Sequence, residues 1–307
     1  MQDNSFVSLP IKDMSKFFSG ENATLKFGEA PFSILYDFLT DLNNTNKQSL
    51  NNVSTYCGAF KDRRLVECVF LICEELRLDP LAAYQAIELL ERFMVKHLED
   101  LICAYNPCGE DGVVCVNYSD SIFIKLSKKF SLHVFSCIQL ASKLTLHGNV
   151  IDNNTALKFL KSVGHSYAKE TLLESELRIL KTLNFCINVP NPLMYVETLL
   201  EVLGYNDVST PVPQLYLICQ HVLRFTYLQR KLIYHSLLVS ATKCTKPSTE
   251  KRVKFSEVTE DCMLLSVGVI AAGAFILNIP NWEKVTPQMG CAHWLMISAV
   301  QSALFIS

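Results

Sequence analysis

The chain has 307 residues, of which half are hydrophobic and 19% are charged. This length allows one large domain or two ordinary ones, and the composition supplies enough apolar side chains for packed cores and argues against extensive disorder. The formal net charge of −2, from 28 basic and 30 acidic residues, argues against a protein that binds along nucleic-acid phosphates, because such proteins carry a basic excess.

The cysteines and the most apolar segment also restrict the class of protein. The 12 cysteines are scattered without a Cys-x-x-Cys pair, and the first ten residues lack the pattern of a secretory signal. We therefore predict reduced, intracellular thiols, most of them packed as small buried hydrophobes. The apolar run at residues 263–279 is shorter than the ~20 residues that cross a bilayer. Since it contains two glycines and is followed by Pro280, we predict a buried helix and no membrane partner.

The first predicted region, residues 1–58, is a tail with one amphipathic helix. It is rich in Asn, Ser and Lys. The helix is indicated by apolar residues at helical spacing, namely Phe32, Leu35, Tyr36, Phe38, Leu39 and Leu42. We expect this helix to pack on the domain that follows.

The second predicted region, residues 59–188, contains five helices. Asp79 and Pro80 are a strong start for the long second helix, because Asp caps free amides and Pro suits the first helical position. Asn153 or Asn154 is the predicted cap of the fourth. The predicted helices cover about residues 63–76, 80–98, 121–146, 153–164 and 169–183.

The third predicted region, residues 189–307, repeats this helical pattern. A polar stretch at 242–257 is predicted as a loop, and it leads into the most apolar helix. The predicted helices cover about residues 193–203, 213–228, 232–239, 262–278 and 291–305. No strand-like alternation persists along the chain. The sequence therefore predicts an all-α protein with two five-helix modules in tandem.

Two charged residues inside apolar helical runs are the first candidates for function. Glu176 follows Leu173 by three residues, precedes Leu180 by four and adjoins Leu177, on the stripe that we predict to be buried. A carboxylate there needs a partner, because desolvating it alone is costly. Lys143, at the end of an earlier helix, is the candidate partner. Spacing alone favours a helix-bracing ion pair and leaves a binding role open.

The segment from about Arg63 to Phe185 resembles a cyclin box, the five-helix module of the cyclin family. In that family a Lys after Leu-Ala-Ser and a Glu in the fifth helix contact the backbone of a partner kinase. The resemblance therefore implies this role for Lys143 and Glu176.

Three further residues match the cyclin signature. Glu91 stands before Arg-Phe in the second helix, and Leu132 lies eleven residues before the Lys of the signature. Arg63 lies within one residue of the place of the family's Arg, where an ungapped alignment puts Asp62. The resemblance implies that these residues hold the helices that present the kinase contact. The order of helices in the third region resembles a second cyclin fold.

The resemblance implies a non-catalytic, cyclin-like regulatory protein with no cofactor that binds partners, among them a cyclin-dependent kinase. Residues 84–96 and 195–206 are similar to a divergent branch of the family associated with meiotic crossover maturation. This similarity implies meiotic recombination proteins as partners, and a nuclear location on meiotic chromosomes with a cytoplasmic pool. Two alternatives stay open: a cyclin-fold scaffold that has lost the kinase, and a nucleic-acid-binding factor of the general-transcription type.

Catalytic and metal sites receive little support from the residue pattern. His133 and Cys137 lie four residues apart and could place a base near a thiol, but they lie in an apolar stretch that favours core packing. The cysteines near one loop, with His97 close by, do not follow the paired spacing of zinc ligands; they are Cys103, Cys108 and Cys115. We predict neither an enzyme nor a metal protein.

A basic cluster lies in the polar stretch of the third region. Its members are Lys243, Lys246, Lys251, Arg252 and Lys254. An exposed flexible loop is the simplest interpretation. A nuclear-import signal or a contact with an acidic partner is the alternative.

Overall fold

The computed structural model describes residues 26–105, 118–145, 149–187, 191–244, 246 and 248–279. Within these ranges the chain forms helices and no strand, which confirms the all-α prediction. The helix predicted at 291–305 and most of the N-terminal tail lie outside the described residues.

The helices of the first half are α1 (Phe32–Asn51), α2 (Arg63–Glu75), α3 (Pro80–Tyr105), α4 (Tyr118–Ser127), α5 (Phe130–Leu144), α6 (Asn153–Ser162) and α7 (Lys169–Thr182). Those of the second half are α8 (Pro192–Asn206), α9 (Val212–Leu228), α10 (Arg230–Thr242), α11 (Thr249–Lys254), α12 (Ser256–Glu260) and α13 (Cys262–Ile276). Most of the buried apolar side chains of both halves belong to one continuous cluster.

Short acidic side chains begin several helices by accepting hydrogen bonds from free amides. Asp79 accepts one from the amide of Leu81 at 2.7 Å, as expected for the start of α3. At α6 the cap is Asp152, whose carboxylate accepts a hydrogen bond from the amide of Thr155 at 2.9 Å. The cap predicted at residues 153–154 was therefore wrong. Asp and Asn cap helices equally well, so the pattern does not show which of the adjacent residues 152–154 is the cap.

The single helix predicted over 121–146 is two helices, α4 and α5. The backbone of Lys129 leaves the helical region, with φ −125° and ψ 19°, and separates them. Every residue of α5 from Leu132 to Ser142 is buried, whereas Phe123 and Ile124 on α4 are exposed. The break thus lets α5 pass through the core while α4 stays outside.

The apolar helix α13 packs between α8 and α9 at the centre of the second half. A side chain at Gly273 would lie 3.0 Å from the Leu215 side chain, so the glycine permits the close approach of α9. Among the described residues, no single helix is long and apolar enough to cross a bilayer. By length and composition alone, only the pair Thr249–Glu260 and Cys262–Ile276, bent by 69°, could do so. The short helices α11 and α12 replace part of the loop predicted at 242–257.

Helix α1 docks on the second half of the chain. The side-chain amide of Asn46 donates to Asp261 at 2.9 Å, and its oxygen accepts from the amide of Cys262 at 3.1 Å. The hydroxyl of Tyr195 on α8 donates to the carbonyl of Leu42 at 3.0 Å. The predicted amphipathic helix is therefore present, and polar contacts from distant parts of the chain fix it in place.

Candidate functional site: the α5 and α7 surface and the buried ion network

Lys143 and Glu176 form the ion pair that the sequence predicts. Nζ of Lys143, in the last turn of α5, lies 2.5 Å from Oε1 of Glu176 on α7. The Glu176 side chain is 9% exposed, whereas that of Lys143 is 39% exposed. The pair therefore joins two helices and also presents an ammonium group at the surface.

The apolar stripe predicted around Glu176 was partly wrong. The buried face of α7 consists of Leu172, Ser175, Glu176 and Ile179. Leu173 and Leu177, which the prediction placed in the core, are 42% and 44% exposed. The buried face is offset by about one residue from the predicted one. At 3.6 residues per turn, positions 172, 176 and 179 form a continuous face, and so do positions 173, 177 and 180, so the spacing alone does not choose between them. Two leucines one turn apart are left at the surface beside the ion pair.

Leu132 and Glu91 are buried and do not reach the surface. Leu132 is 0% exposed within the core. The Glu91 carboxylate accepts hydrogen bonds from the amides of Gly58 at 2.5 Å and Phe60 at 2.9 Å. Burial raises the pKa of Glu91 to about 7, although nearby Lys61 opposes the rise. Both residues are therefore part of the protein interior, and Glu91 anchors the linker between α1 and α2.

Lys61, not Arg63, is the buried cation at the start of α2. Arg63 is exposed, whereas Lys61 is 3% exposed. Nζ of Lys61 lies 2.8 Å from Oε2 of Glu88 on α3 and 2.9 Å from Oε2 of Glu260 on α12. Burial would lower the pKa of Lys61, but the carboxylates of Glu260 and Glu88 outweigh it and raise that pKa.

A second buried cation completes this network. Arg230, the first residue of α10, pairs with Glu260 at 2.6 Å. Burial alone would raise the pKa of Glu260, but Lys61 and Arg230 lower it to about 2. The hydroxyl of Tyr227 on α9 donates to Glu88 at 2.7 Å. We call Lys61, Glu88, Arg230 and Glu260 the buried ion network; it joins the two halves of the chain.

Sequence analysis missed this network, although one signal for it was present. Glu88 and Glu91 are three residues apart on one face of α3, where Glu91 is buried and the Glu88 side chain is 13% exposed. Two carboxylates on such a face require a cation, and Lys61 is one of several basic residues upstream of them. Helix α3 carries both Glu91, which matches the cyclin signature, and Glu88, which belongs to the buried ion network.

His133 and Cys137 do not form a nucleophile and base. Cys137 is fully buried, and burial raises the pKa of its thiol. His133 is 2% exposed, its ring lies 5.0 Å from that of Phe93, and burial lowers its pKa to about 4. Among the described residues, neither ring nitrogen of His133 has a hydrogen-bond partner. Both residues pack in the core, as the sequence favours.

Replacing His133 by leucine is expected to raise the free energy of unfolding by about 1–2 kcal/mol, because a buried polar group without a partner costs about 1–3 kcal/mol. Since the pKa of His133 is lowered on folding, the wild type should also lose stability as the pH falls from 6.5 toward 4. His133→Leu should weaken that loss. Urea unfolding of both proteins between pH 4 and 7 measures the two effects. A less stable variant at pH 7 would show that the imidazole is paired.

The described part of the chain contains no group of three or more His, Cys, Asp or Glu side chains that could hold a metal ion. Cys108 and Cys115, two of the cysteines weighed above, lie outside the described residues. His97, which was weighed with them, stacks on Phe93 with ring centroids 5.6 Å apart.

The described helices and the ion pair between α5 and α7 define a cyclin-like helical protein. The chain is 43% identical over 275 residues to human cyclin N-terminal domain-containing protein 1, covering 90% of this chain and 83% of the human protein. It is 44% identical over 261 residues to the mouse protein of that name, covering 85% of this chain and 78% of the mouse protein. The chain therefore belongs to the cyclin N-terminal domain-containing protein 1 family. No protein-family model and no solved structure matches it.

Proposed function

We propose that this protein is a non-catalytic, cyclin-like regulator that binds a cyclin-dependent kinase through the surface of α5 and α7. The observation that carries the proposal is the environment of Lys143. Its ammonium is part-exposed and held at 2.5 Å by a buried carboxylate. It is therefore fixed in position and can still donate hydrogen bonds to a partner protein.

The exposed leucines beside the pair support a binding surface over a simple brace. Leu173 and Leu177 lie one turn apart on α7, next to Glu176 in the chain. A brace between two helices does not require leucines in contact with water. A partner helix would bury them, and an apolar contact around a fixed charge is typical of the centre of a protein interface.

The cellular role that we propose is the promotion of meiotic crossover maturation in the nucleus, together with recombination proteins. Its support is the resemblance of residues 84–96 and 195–206 to the crossover-associated branch of the cyclin family. In this role the helical surface would bind partner proteins and would not catalyse a reaction.

The test is capture of purified cyclin-dependent kinases by the full chain and by two variants. Lys143→Ala with Glu176→Ala should weaken capture by roughly 30-fold or more, because central interface residues contribute about 2 kcal/mol or more. Leu173→Ser with Leu177→Ser should weaken it similarly. The stability cost should be about 1 kcal/mol or less for the first variant, since removing both charges leaves no unpaired one.

A matched control distinguishes the kinase contact from an internal brace. Glu250 and Lys254 form an exposed ion pair on α11, outside the proposed surface, and Glu250→Ala with Lys254→Ala removes the same two residue types. This control should retain capture and melting temperature. If the leucine variant captures kinase as the wild type does, or the wild type captures none, the kinase contact is refuted and a cyclin-fold scaffold is the better interpretation.

A further inference from the structure

A separate cleft opens between the α1–α2 linker, α10 and α11. Its volume is about 540 Å³, within the range of ~300–1,000 Å³ that is usual for ligand sites. None of the five residues that match the cyclin signature lines it. It is therefore distinct from the proposed kinase contact, and either can be tested without the other.

The described residues that line the cleft include no Asp or Glu. Four of them are cationic, namely Lys61, Arg230, Lys231 and Arg252, and His235 adds ring nitrogens that can form hydrogen bonds. In a chain with a net charge of −2, this is a local concentration of positive charge. Part of the basic cluster of the sequence belongs to it, since α11 brings Arg252 to the cleft.

The nearest carboxylates neutralise the charge of some of these cations more fully than that of others. Glu88 and Glu260 compensate Lys61 and Arg230 within the buried ion network. Lys231 pairs with Asp62 at 2.7 Å, but their side chains are 72% and 47% exposed. Such surface pairs contribute only about 0–1 kcal/mol, so the Lys231 ammonium can turn to a ligand at little cost.

One residue of the cleft lining, Tyr234, carries a polar group that is buried behind the cleft wall and has no hydrogen-bond partner in the described part of the chain. Tyr234 is 5% exposed, and among the described residues its hydroxyl makes no hydrogen bond. Buried polar groups are almost always paired in native proteins. The guanidinium of Arg230 lies 4.8 Å from the centre of the Tyr234 ring and fixes it. The hydroxyls of Thr55 and Thr249 line the same cleft.

We propose that this cleft binds a phosphorylated serine or threonine in a short segment of a partner protein. A phosphate dianion can engage Lys231, His235 and Arg252 together, whereas a carboxylate brings one charge. Leu238, Val253 and Phe255 form an apolar part of the lining that suits the side chain next to the phosphate. The cations surround one concavity and do not form a stripe, which favours a single phosphate over a nucleic-acid backbone.

The test measures binding of labelled peptide pools to the full chain by fluorescence polarisation. The pools carry a central phosphothreonine, threonine or glutamate between randomised positions. We expect the phosphothreonine pool to bind at least about tenfold more tightly than the other two, and inorganic phosphate to compete better than chloride at equal ionic strength. Lys231→Glu with Arg252→Glu should weaken binding by roughly tenfold or more, because it replaces two donors of charge-assisted hydrogen bonds by carboxylates that repel the phosphate.

The control has the same change in net charge at another place. Lys158 and Lys161 are exposed on α6, and Lys158→Glu with Lys161→Glu should bind the phosphothreonine pool within about twofold of the wild type. If Lys231→Glu with Arg252→Glu unfolds, Lys231→Gln replaces it. Equal binding of the three pools, equal loss in the control, or tighter binding of duplex DNA than of the phosphothreonine pool would each overturn the proposal.

Discussion

Replacing Glu260 by alanine is expected to lower the free energy of unfolding by about 3–5 kcal/mol, which is the usual cost of removing one member of a buried ion pair. Lys61 and Arg230 are 3% and 7% exposed, and both direct their charge at this carboxylate. Without Glu260, Lys61 still pairs with Glu88, whereas Arg230 has lost its carboxylate partner. Urea unfolding measured by circular dichroism gives the difference.

An exposed ion pair provides the control for Glu260→Ala. Glu250 and Lys254 lie 2.8 Å apart with side chains 77% and 76% exposed. Glu250→Ala removes the same kind of carboxylate and should change stability by less than about 0.5 kcal/mol. Equal effects of the two substitutions would contradict a structural role for the buried ion network.

Replacing Glu91 by alanine is expected to cost about 3 kcal/mol and to loosen the linker between α1 and α2. The amides of Gly58 and Phe60 lose their acceptor, and a buried polar group left without its partner costs about 1–3 kcal/mol. Chymotrypsin should then cut at Tyr56 faster than in the wild type. Asp100→Ala, which breaks an exposed pair with Lys96 on the same helix, should change neither stability nor cleavage.

The carboxyl of Glu91 should also make stability depend on pH. Its folded-state pKa of about 7 lies above the ordinary value of 4.5, so its contribution is fully present below pH 4.5. That contribution is lost as the pH rises through 7. Relative to Glu91→Gln, the wild type should therefore lose up to about 3 kcal/mol between pH 5 and 8, at 1.36 kcal/mol per pKa unit. Urea unfolding at four pH values checks this, and parallel profiles would contradict it.

Local patterns were sufficient for most of the helices. Asp79 and Pro80 mark the start of α3, and the start predicted for the fifth helix coincides with Lys169, the first residue of α7. The division between α4 and α5 could not be predicted, because Lys128 and Lys129 are good helix formers. The chain bends there because α5 enters the core and α4 does not, which is a property of tertiary packing.

The candidate site was predictable only where the spacing of apolar residues put a charged side chain on a buried helix face. Glu176 lies three residues after Leu173 and four before Leu180, so its need for a cation could be seen, and Lys143 was the correct partner. Lys61 precedes a helix like any solvent-exposed lysine, and one of its partners, Glu260, lies 199 residues later in the chain. No local pattern indicates such a contact. The cleft is built from the α1–α2 linker, α10 and α11, so it too exists only after folding.

The docking of α1 has a consequence for biosynthesis. Asn46 leaves the ribosome 215 residues before Asp261, its hydrogen-bond partner. At about 5–20 residues per second, the helix must wait roughly 10–40 s for that partner to be translated. During that interval Leu35 and Leu42, which are buried in the finished protein, lie on a helix whose partners α8 and α13 are not yet complete. Helix α1 is synthesised before the other described helices and is therefore among the last of them to dock, and the nascent chain exposes an apolar surface on which cellular chaperones can act.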